Sequence, residues 1–242
     1  GLAVLVETRH HRLLFDAGPI SRSGFDAGAE VVVPALGAAG RRGLDRLVVS
    51  HADSDHAGGA AAVVAAFPGI EVLKGPDATA LPGRVCESGQ QWQWDGVRFA
   101  ILHPGADFAA RGNDSSCVLS VTTGAATLLV TGDVERLGER ALLTERIAAD
   151  VVVVPHHGSA TSSSPEFVAA AGAKLAIVSA GFANRWGFPR PEVRQRWEQR
   201  GAAVVVTGEA GAVSVELGPE GAAVSTERDG RHRYWQTPKF PW

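Results

Sequence analysis

The chain lacks methionine altogether, has only two cysteines and one tyrosine among its 242 residues, and draws its positive charge almost wholly from arginine. Each scarcity removes a class of explanation. Cys86 and Cys117 permit at most one disulfide, so neither a cysteine zinc site nor a disulfide scaffold is available, and small buried thiols are the expected state. No apolar run approaches the ~20 residues that span a bilayer. Residues 1–16 read as two strands around a polar turn rather than as a signal peptide. A start at Gly1 without methionine leads to the expectation of a piece excised from a larger protein. The net charge of −3 argues against wholesale electrostatic wrapping of nucleic acid. A local arginine stripe is still compatible with it, and arginine suits bidentate phosphate recognition.

What is present is a 45% hydrophobic chain, long enough for a sizeable core. Alternation predicts a hairpin from 2–6 and Arg12–Phe15, and apolar content a helix over 28–39. A strand over 44–50, a helix over 59–66 and short strands at 72–73, 92–94, 97–102, 118–121 and 127–131 follow. A helix is expected over 136–148 with Leu137, Ala141, Leu142 and Ile147 on one side. The apolar strand at 151–154 suits the centre of a sheet. Beyond it, Ser164 caps a helix over Pro165–Ala171, with a strand at Leu175–Val178, a helix over 191–200 and strands at 204–207 and 212–217. The tail from Thr226 is expected to be poorly ordered or packed across the surface. One domain over 1–242, with mixed sheets flanked by helices, fits this pattern.

The densest chemistry lies at 51–56, His-Ala-Asp-Ser-Asp-His, just after the apolar run Leu47-Val48-Val49 and before Gly58-Gly59. Two imidazoles and two carboxylates at a strand end are built to hold cations. The plainer alternative makes Asp53 and Asp55 turn acids and His51 and His56 polar loop residues. Three further segments place metal-capable groups at strand ends: Asp133 in Thr131-Gly132-Asp133, the pair His156-His157 before Gly158-Ser159, and Asn113-Asp114-Ser115-Ser116 before a strand. Strands of one sheet deliver their ends to a common edge, so these segments form one pattern.

Together with Asp16-Ala17-Gly18, their order and spacing resemble the metallo-β-lactamase superfamily over nearly the whole chain. The resemblance implies an α/β fold, an αββα sandwich of two mixed sheets flanked by helices, with a di-metal site at the sheet edge. It implies that His51 and Asp53 hold a first metal, that Asp55, His56 and His156 hold a second, and that Asp133 bridges both. Asp16 would brace the metal loop without binding metal. Asp53 replaces the second histidine of the usual motif, and the remaining first-site histidine, due near 113–116, is absent. Asn113, Ser116 and His157 stand as further candidates to contact metal or phosphate, while His103 reads as a structural strand-end residue. Oxygen-rich sites favour Mn²⁺ or Mg²⁺ over Zn²⁺, so two divalent cations of that kind are expected. No small-molecule cofactor is expected.

The segment from Pro155 to Ser164 and the run Ser179-Ala-Gly-Phe-Ala-Asn184-Arg185-Trp186-Gly187-Phe188-Pro189-Arg190 narrow the resemblance to the soluble C-terminal domains of the ComEC family of DNA-internalisation competence proteins. Several members have histidine at the positions of Phe188 and Arg190. This implies a metal-dependent deoxyribonuclease that degrades the non-transforming strand. Asp55, His51 and Asp133 would be catalytic, Asp55 steering the proton of the attacking water. Phosphate and DNA contacts fall on Ser159, Ser162, Ser163, Asn184, Arg185 and Arg190, because hydroxyls at a helix start bind phosphate and arginine interleaved with aromatics suits single strands. Arg194, Arg196 and Arg200 read instead as a solvated helix face. The implied partners are DNA, as single strand or duplex end, and the membrane channel portion of the same parent protein, with the domain on the extracytoplasmic face of a bacterial inner membrane. The alternatives are another hydrolase of this fold (phosphorylcholine esterase, ribonuclease or lactonase) and a non-catalytic domain that guides DNA.

Overall fold

The computed structural model describes residues 1–41, 43–109 and 111–228. Fourteen strands and seven α-helices are described in these segments. The first sheet contains β1 (Val4–Glu7), β2 (Arg12–Phe15), β3 (Arg46–Val49), β4 (Glu71–Lys74) and β5 (Arg84–Val85) in that order. β1 and β2 form the antiparallel hairpin, and all later pairings are parallel. The second sheet contains β6 (Gln91–Trp94), β7 (Val97–His103), β8 (Val118–Thr122), β9 (Thr127–Val130), β10 (Val151–Val153), β11 (Leu175–Val178) and β12 (Ala203–Val206). Its order is β12-β11-β10-β9-β8-β7-β6, antiparallel from β6 to β9 and parallel from β9 to β12. A separate hairpin of β13 (Val213–Gly218) and β14 (Gly221–Thr226) follows.

The layers follow from which side of each strand is apolar. Leu13, Phe15, Val48 and Leu73 of the first sheet meet Phe99, Ile101, Leu119, Val121, Val130 and Val153 of the second in one buried cluster. The opposite face of the first sheet, with Leu14, Leu47, Val49 and Val72, packs on α1 (Val33–Ala38) and α3 (Ala60–Ala66). The outer face of the second sheet, with Leu129, Val152, Val154 and Ala176, packs on α4 (Arg136–Leu142), α5 (Pro165–Ala171) and α6 (Pro191–Gln199). This is the αββα sandwich. Val151, Val152 and Val153 are all buried because β10 lies between two parallel neighbours and under helices.

Several expectations are corrected. Cys86 and Cys117 are not thiols; they form a disulfide that ties the end of β5 in one sheet to the start of β8 in the other. The expected helix over 136–148 stops at Leu142, and its buried face is Gly138, Glu139 and Leu142 while Leu137 is 59% exposed. The cause is Glu139, whose carboxylate turns inward and accepts from the backbone N–H groups of Ser163 and Ser164, rotating Leu137 outward. The 28–39 segment is a wide π-type turn over Gly28–Val32 running into α1, where Pro34 is tolerated in the first turn. Short α2 (Ser54–Ala57) begins inside the 51–56 motif, and α7 (Thr207–Ala210) follows β12. The 226–242 tail reading falls, from 229 on, outside the described residues.

Candidate metal centre

Parallel strands present their C-terminal ends at one edge, and an antiparallel neighbour presents its start there. Asp16 follows β2, Ser50 and His51 follow β3, Asp133 follows β9, and His156 and His157 follow β10. The 113–116 turn precedes β8 at the same edge. Glycine lets these loops close. A Cβ on Gly132, which has φ +55°, would lie 2.8 Å from Ser50 Cβ and 2.9 Å from Ser116 Cβ, so only glycine carries the chain past both into Asp133. A Cβ on Gly59 would lie 2.3 Å from the Ala17 carbonyl, and its absence lets the Asp16-Ala17-Gly18 turn rest on the metal loop.

The convergent atoms are His51, His56 and Asp133 in one group and Asp55, His56 and His157 in another, the ligand atoms of each lying within 4.8 Å of one another. Asp53 is the outlying acid, 60% exposed with Oδ2 3.7 Å from His51 Nε2. The hydrogen bonds on the far side of each ring fix which nitrogen faces the centre. His56 Nδ1 donates to Asp16 Oδ2 at 2.7 Å, and His157 Nδ1 donates to the Ser179 carbonyl at 2.8 Å. Ser50 Oγ donates to Asp16 Oδ2 at 2.8 Å, which leaves it to accept from His51 Nδ1 at 3.0 Å. Asp16 also accepts from Ser50 N at 2.6 Å and is fully buried. Carboxylate or carbonyl behind an imidazole is the second layer that orients metal-binding histidines.

All three Nε2 atoms thereby face the centre. His51 Nε2 is buried with no hydrogen-bond partner. His56 Nε2 and His157 Nε2 stand 3.2 Å apart, with His56 Nε2 3.1 Å from Asp133 Oδ1 and His157 Nε2 3.1 Å from Asp55 Oδ2. An unpaired buried polar atom costs about 1–3 kcal/mol, so a cation beside His51 Nε2 satisfies what no protein group does. Without an ion, the carboxylates draw positive charge onto His56 as a proton. Burial works against the charged form of His56, yet Asp133 and Asp16 raise it well above the ordinary imidazole value. Burial likewise opposes ionisation of Asp55 and Asp133, yet His157 and His56 hold Asp55, and His56 holds Asp133, below the usual carboxylate range. The residues present therefore fit divalent metal, with three imidazoles and two carboxylates converging and Asp53 at the margin.

The predicted residues divide by placement. Of the histidine pair, the structure draws His157 to the cluster. Both residues have left-handed backbone (φ 49° and 53°), so successive side chains diverge. His156 Nδ1 lies 2.9 Å from Glu135 Oε1, and its Nε2 lies 3.9 Å from Asp133 Oδ2. The 113–116 turn supports the site from behind: Ser116 Oγ accepts from Asp133 N at 3.2 Å and donates to the Asn113 carbonyl, while Asp114 Oδ1 caps α4. His103 donates to the Asp114 carbonyl at 2.7 Å. Ser162 and Ser163 are buried, with Ser162 Oγ donating to the Pro155 carbonyl and Ser163 Oγ accepting from Trp197 Nε1. Ser159 Oγ contacts Thr161 Oγ1 at 2.9 Å. Asn184 is spent within its own turn, bonding Gly181 and Phe188 backbone. Beside it Arg185 lies 4.3 Å over Trp186, Trp186 stacks with Phe188 at 6.5 Å, Arg190 lies 5.9 Å from the Phe188 ring, and Phe188 meets His156 at 5.9 Å. Sequence reasoning missed Ser50, Ser179 and Glu135; a polar residue directly after a buried strand is the signal that marks the two serines.

A family model described as the Metallo-beta-lactamase superfamily matches residues 1–181. Competence protein ComA of Neisseria gonorrhoeae is 40% identical over 99% of this chain and 34% of its own length. Recombination protein 2 of Haemophilus influenzae is 34% identical over 90% of this chain and 28% of its own. The chain thus spans about a third of the length of these relatives. The metallo-beta-lactamase fold protein YhfI from Bacillus subtilis shares the fold with a TM-score of 0.55 and 15% identity, covering 85% of this chain and 87% of that one. Among the described residues, no helix is long and apolar enough to cross a membrane.

Proposed function

The chain belongs to the metallo-β-lactamase superfamily, a fold that implies divalent metal ions, and on that premise we propose that it is a metal-dependent nuclease acting on DNA phosphodiesters. The observation that carries the reading is the buried, unpartnered Nε2 of His51 beside the facing Nε2 atoms of His56 and His157. His51, Asp53 and Asp133 would hold one ion; Asp55, His56 and His157 would hold the other, with Asp133 shared. When bound, such ions polarise a phosphoryl oxygen and lower the pKa of water. The chain's own part is to fix the donors. Asp16 and the Ser179 carbonyl keep protons on Nδ1, and Asp55, partly exposed beside His157, is placed to take a water's proton. No third imidazole serves the first ion, and Asp53 supplies oxygen instead, so Mn²⁺ or Mg²⁺ is favoured over Zn²⁺.

DNA is supported by the Arg185–Trp186–Phe188–Arg190 surface, where Trp186 is 55% exposed and Phe188 meets His156. Exposed rings with guanidinium on their faces accept unpaired bases and phosphates. The competence and recombination named for the relatives suit that substrate. In the parent protein, the domain over 1–242 would degrade the strand not taken up, next to a membrane channel portion. The Cys86–Cys117 disulfide favours an oxidising compartment, hence the extracytoplasmic face. The test is to incubate the chain with labelled single- and double-stranded DNA and EDTA, Zn²⁺, Mg²⁺ or Mn²⁺. Cleavage with Mn²⁺ or Mg²⁺ that is lost in Asp55→Ala is expected. Binding without cleavage under every ion would overturn the nuclease reading, and turnover of a lactone but not DNA would reassign the substrate.

A further inference from the structure

Outside the metal centre, a groove of about 460 Å³ is lined by Arg136, Arg140 and Arg196, with Ser162, Ser164 and the single carboxylate Glu166. Arg136 is the first residue of α4 and Arg140 lies one turn on. A cation at a helix N-terminus opposes the helix dipole, and like charges four residues apart repel. Neither arginine has a hydrogen-bond or ion-pair partner among the described residues. Arg196 is fixed across the groove by a hydrogen bond from Nη1 to the Ser163 carbonyl. The start of α5 is already neutralised from inside by Glu139, so the groove's positive charge rests on the arginines.

The groove shares a wall with the metal centre. Ala160 and Ser162 flank Thr161, whose Oγ1 donates to Glu135 Oε1 at 2.6 Å, and Glu135 Oε1 also lies 2.9 Å from His156 Nδ1. His156 in turn meets Phe188 and faces Asp133. A chain of phosphates passing the metal centre would therefore have a second cationic station within the same face. Guanidinium groups that no protein carboxylate pairs with match phosphodiester oxygens, which accept in pairs.

We propose that the Arg136–Arg140–Arg196 groove is a second phosphate site, binding a backbone phosphodiester of the nucleic-acid strand away from the bond that is cut. It rests on the nuclease reading for its substrate. Arg136 and Arg140 are exposed, so Arg136→Gln/Arg140→Gln keeps the fold, which near-ultraviolet circular dichroism checks. The metal-loaded chain and this variant are compared in hydrolysis of bis(p-nitrophenyl) phosphate and in binding a 20-nucleotide strand across a salt series. The variant is expected to turn over the small phosphodiester like the wild type while its strand affinity at 0.1 M salt falls roughly tenfold and the slope of log K against log[salt] drops by about 1.4. Unchanged affinity and slope overturn the proposal. So does lost binding to phosphatidylglycerol vesicles with strand affinity intact, which would assign the groove to lipid headgroups. If the wild type hydrolyses neither substrate, the nuclease reading falls while the salt series still decides the groove.

Discussion

Asp16→Asn isolates the part of the candidate metal centre that lies behind the proposed ligands. Asp16 accepts three hydrogen bonds, from Ser50 N, Ser50 Oγ and His56 Nδ1, with no solvent access. Asparagine keeps the shape but offers one acceptor oxygen and two N–H donors. With its oxygen toward Ser50 N, the amide N–H groups confront the Nδ1–H of His56. Relief then requires that proton to move to Nε2, which removes the lone pair aimed at the metal. With the amide turned over, an N–H faces the Ser50 N–H and the clash moves there. Either way one charge-assisted bond worth about 1.5–3 kcal/mol is lost. Orienting partners of this kind typically change metal affinity by about 10–100-fold. Competition with a chromogenic chelator measures the affinity, and a melt of the metal-free chain separates it from general unfolding. Affinity within twofold of wild type, with the fold intact, would refute the reasoning that Asp16 sets the His56 tautomer.

The other perturbations are simpler. His157→Ala should lose one bound equivalent of metal by elemental analysis while His156→Ala keeps both; the reverse would return the ligand role to His156. Because the Cys86–Cys117 bond closes a loop of 31 residues, Cys86→Ser/Cys117→Ser should lose roughly 3–4 kcal/mol of unfolding free energy in urea, and an unchanged midpoint would contradict that. His103 is buried, which lowers its pKa despite the hydrogen bond to the Asp114 carbonyl. The unfolded chain then binds the proton more readily than the native one, so stability falls as pH drops below about 6.5, by at most about 1.4 kcal/mol per unit from this group. Urea titrations across pH 7 to 5 should show a shallower loss in His103→Asn, and an equal slope would remove His103 as the cause.

The parts of the fold that periodicity made legible are those buried on both sides. The runs at Val151–Val153 and Leu175–Val178 read as central strands because parallel neighbours and helices leave no polar face. Elements that depend on distant partners were not legible. Glu139 occupies a core-facing position of α4 because the Ser163 and Ser164 amides await it there, and no rule of helix faces anticipates that choice. Cys86 and Cys117 belong to different sheets, so their meeting depends on the sandwich closing and not on their spacing. β14, Gly221–Thr226, is mostly exposed and offers no apolar alternation to detect.

The candidate site was legible in its inventory and not in its orientation. Spacing gathered His51, Asp55, His56 and Asp133 because strand ends share an edge. It did not separate His156 from His157, since the choice is made by two left-handed residues that send adjacent side chains apart. Nor did it show which nitrogen of each ring is free. That property belongs to Asp16, Ser50 and the Ser179 carbonyl, which take the Nδ1 protons and leave Nε2 as the donor. A cluster of histidines and acids becomes a metal centre only when the groups behind the rings forbid the alternative tautomer. Ser50 shows the economy of this arrangement: one hydroxyl donates to Asp16 and accepts from His51, so a single residue after β3 ties His51 to the carboxylate that already holds His56.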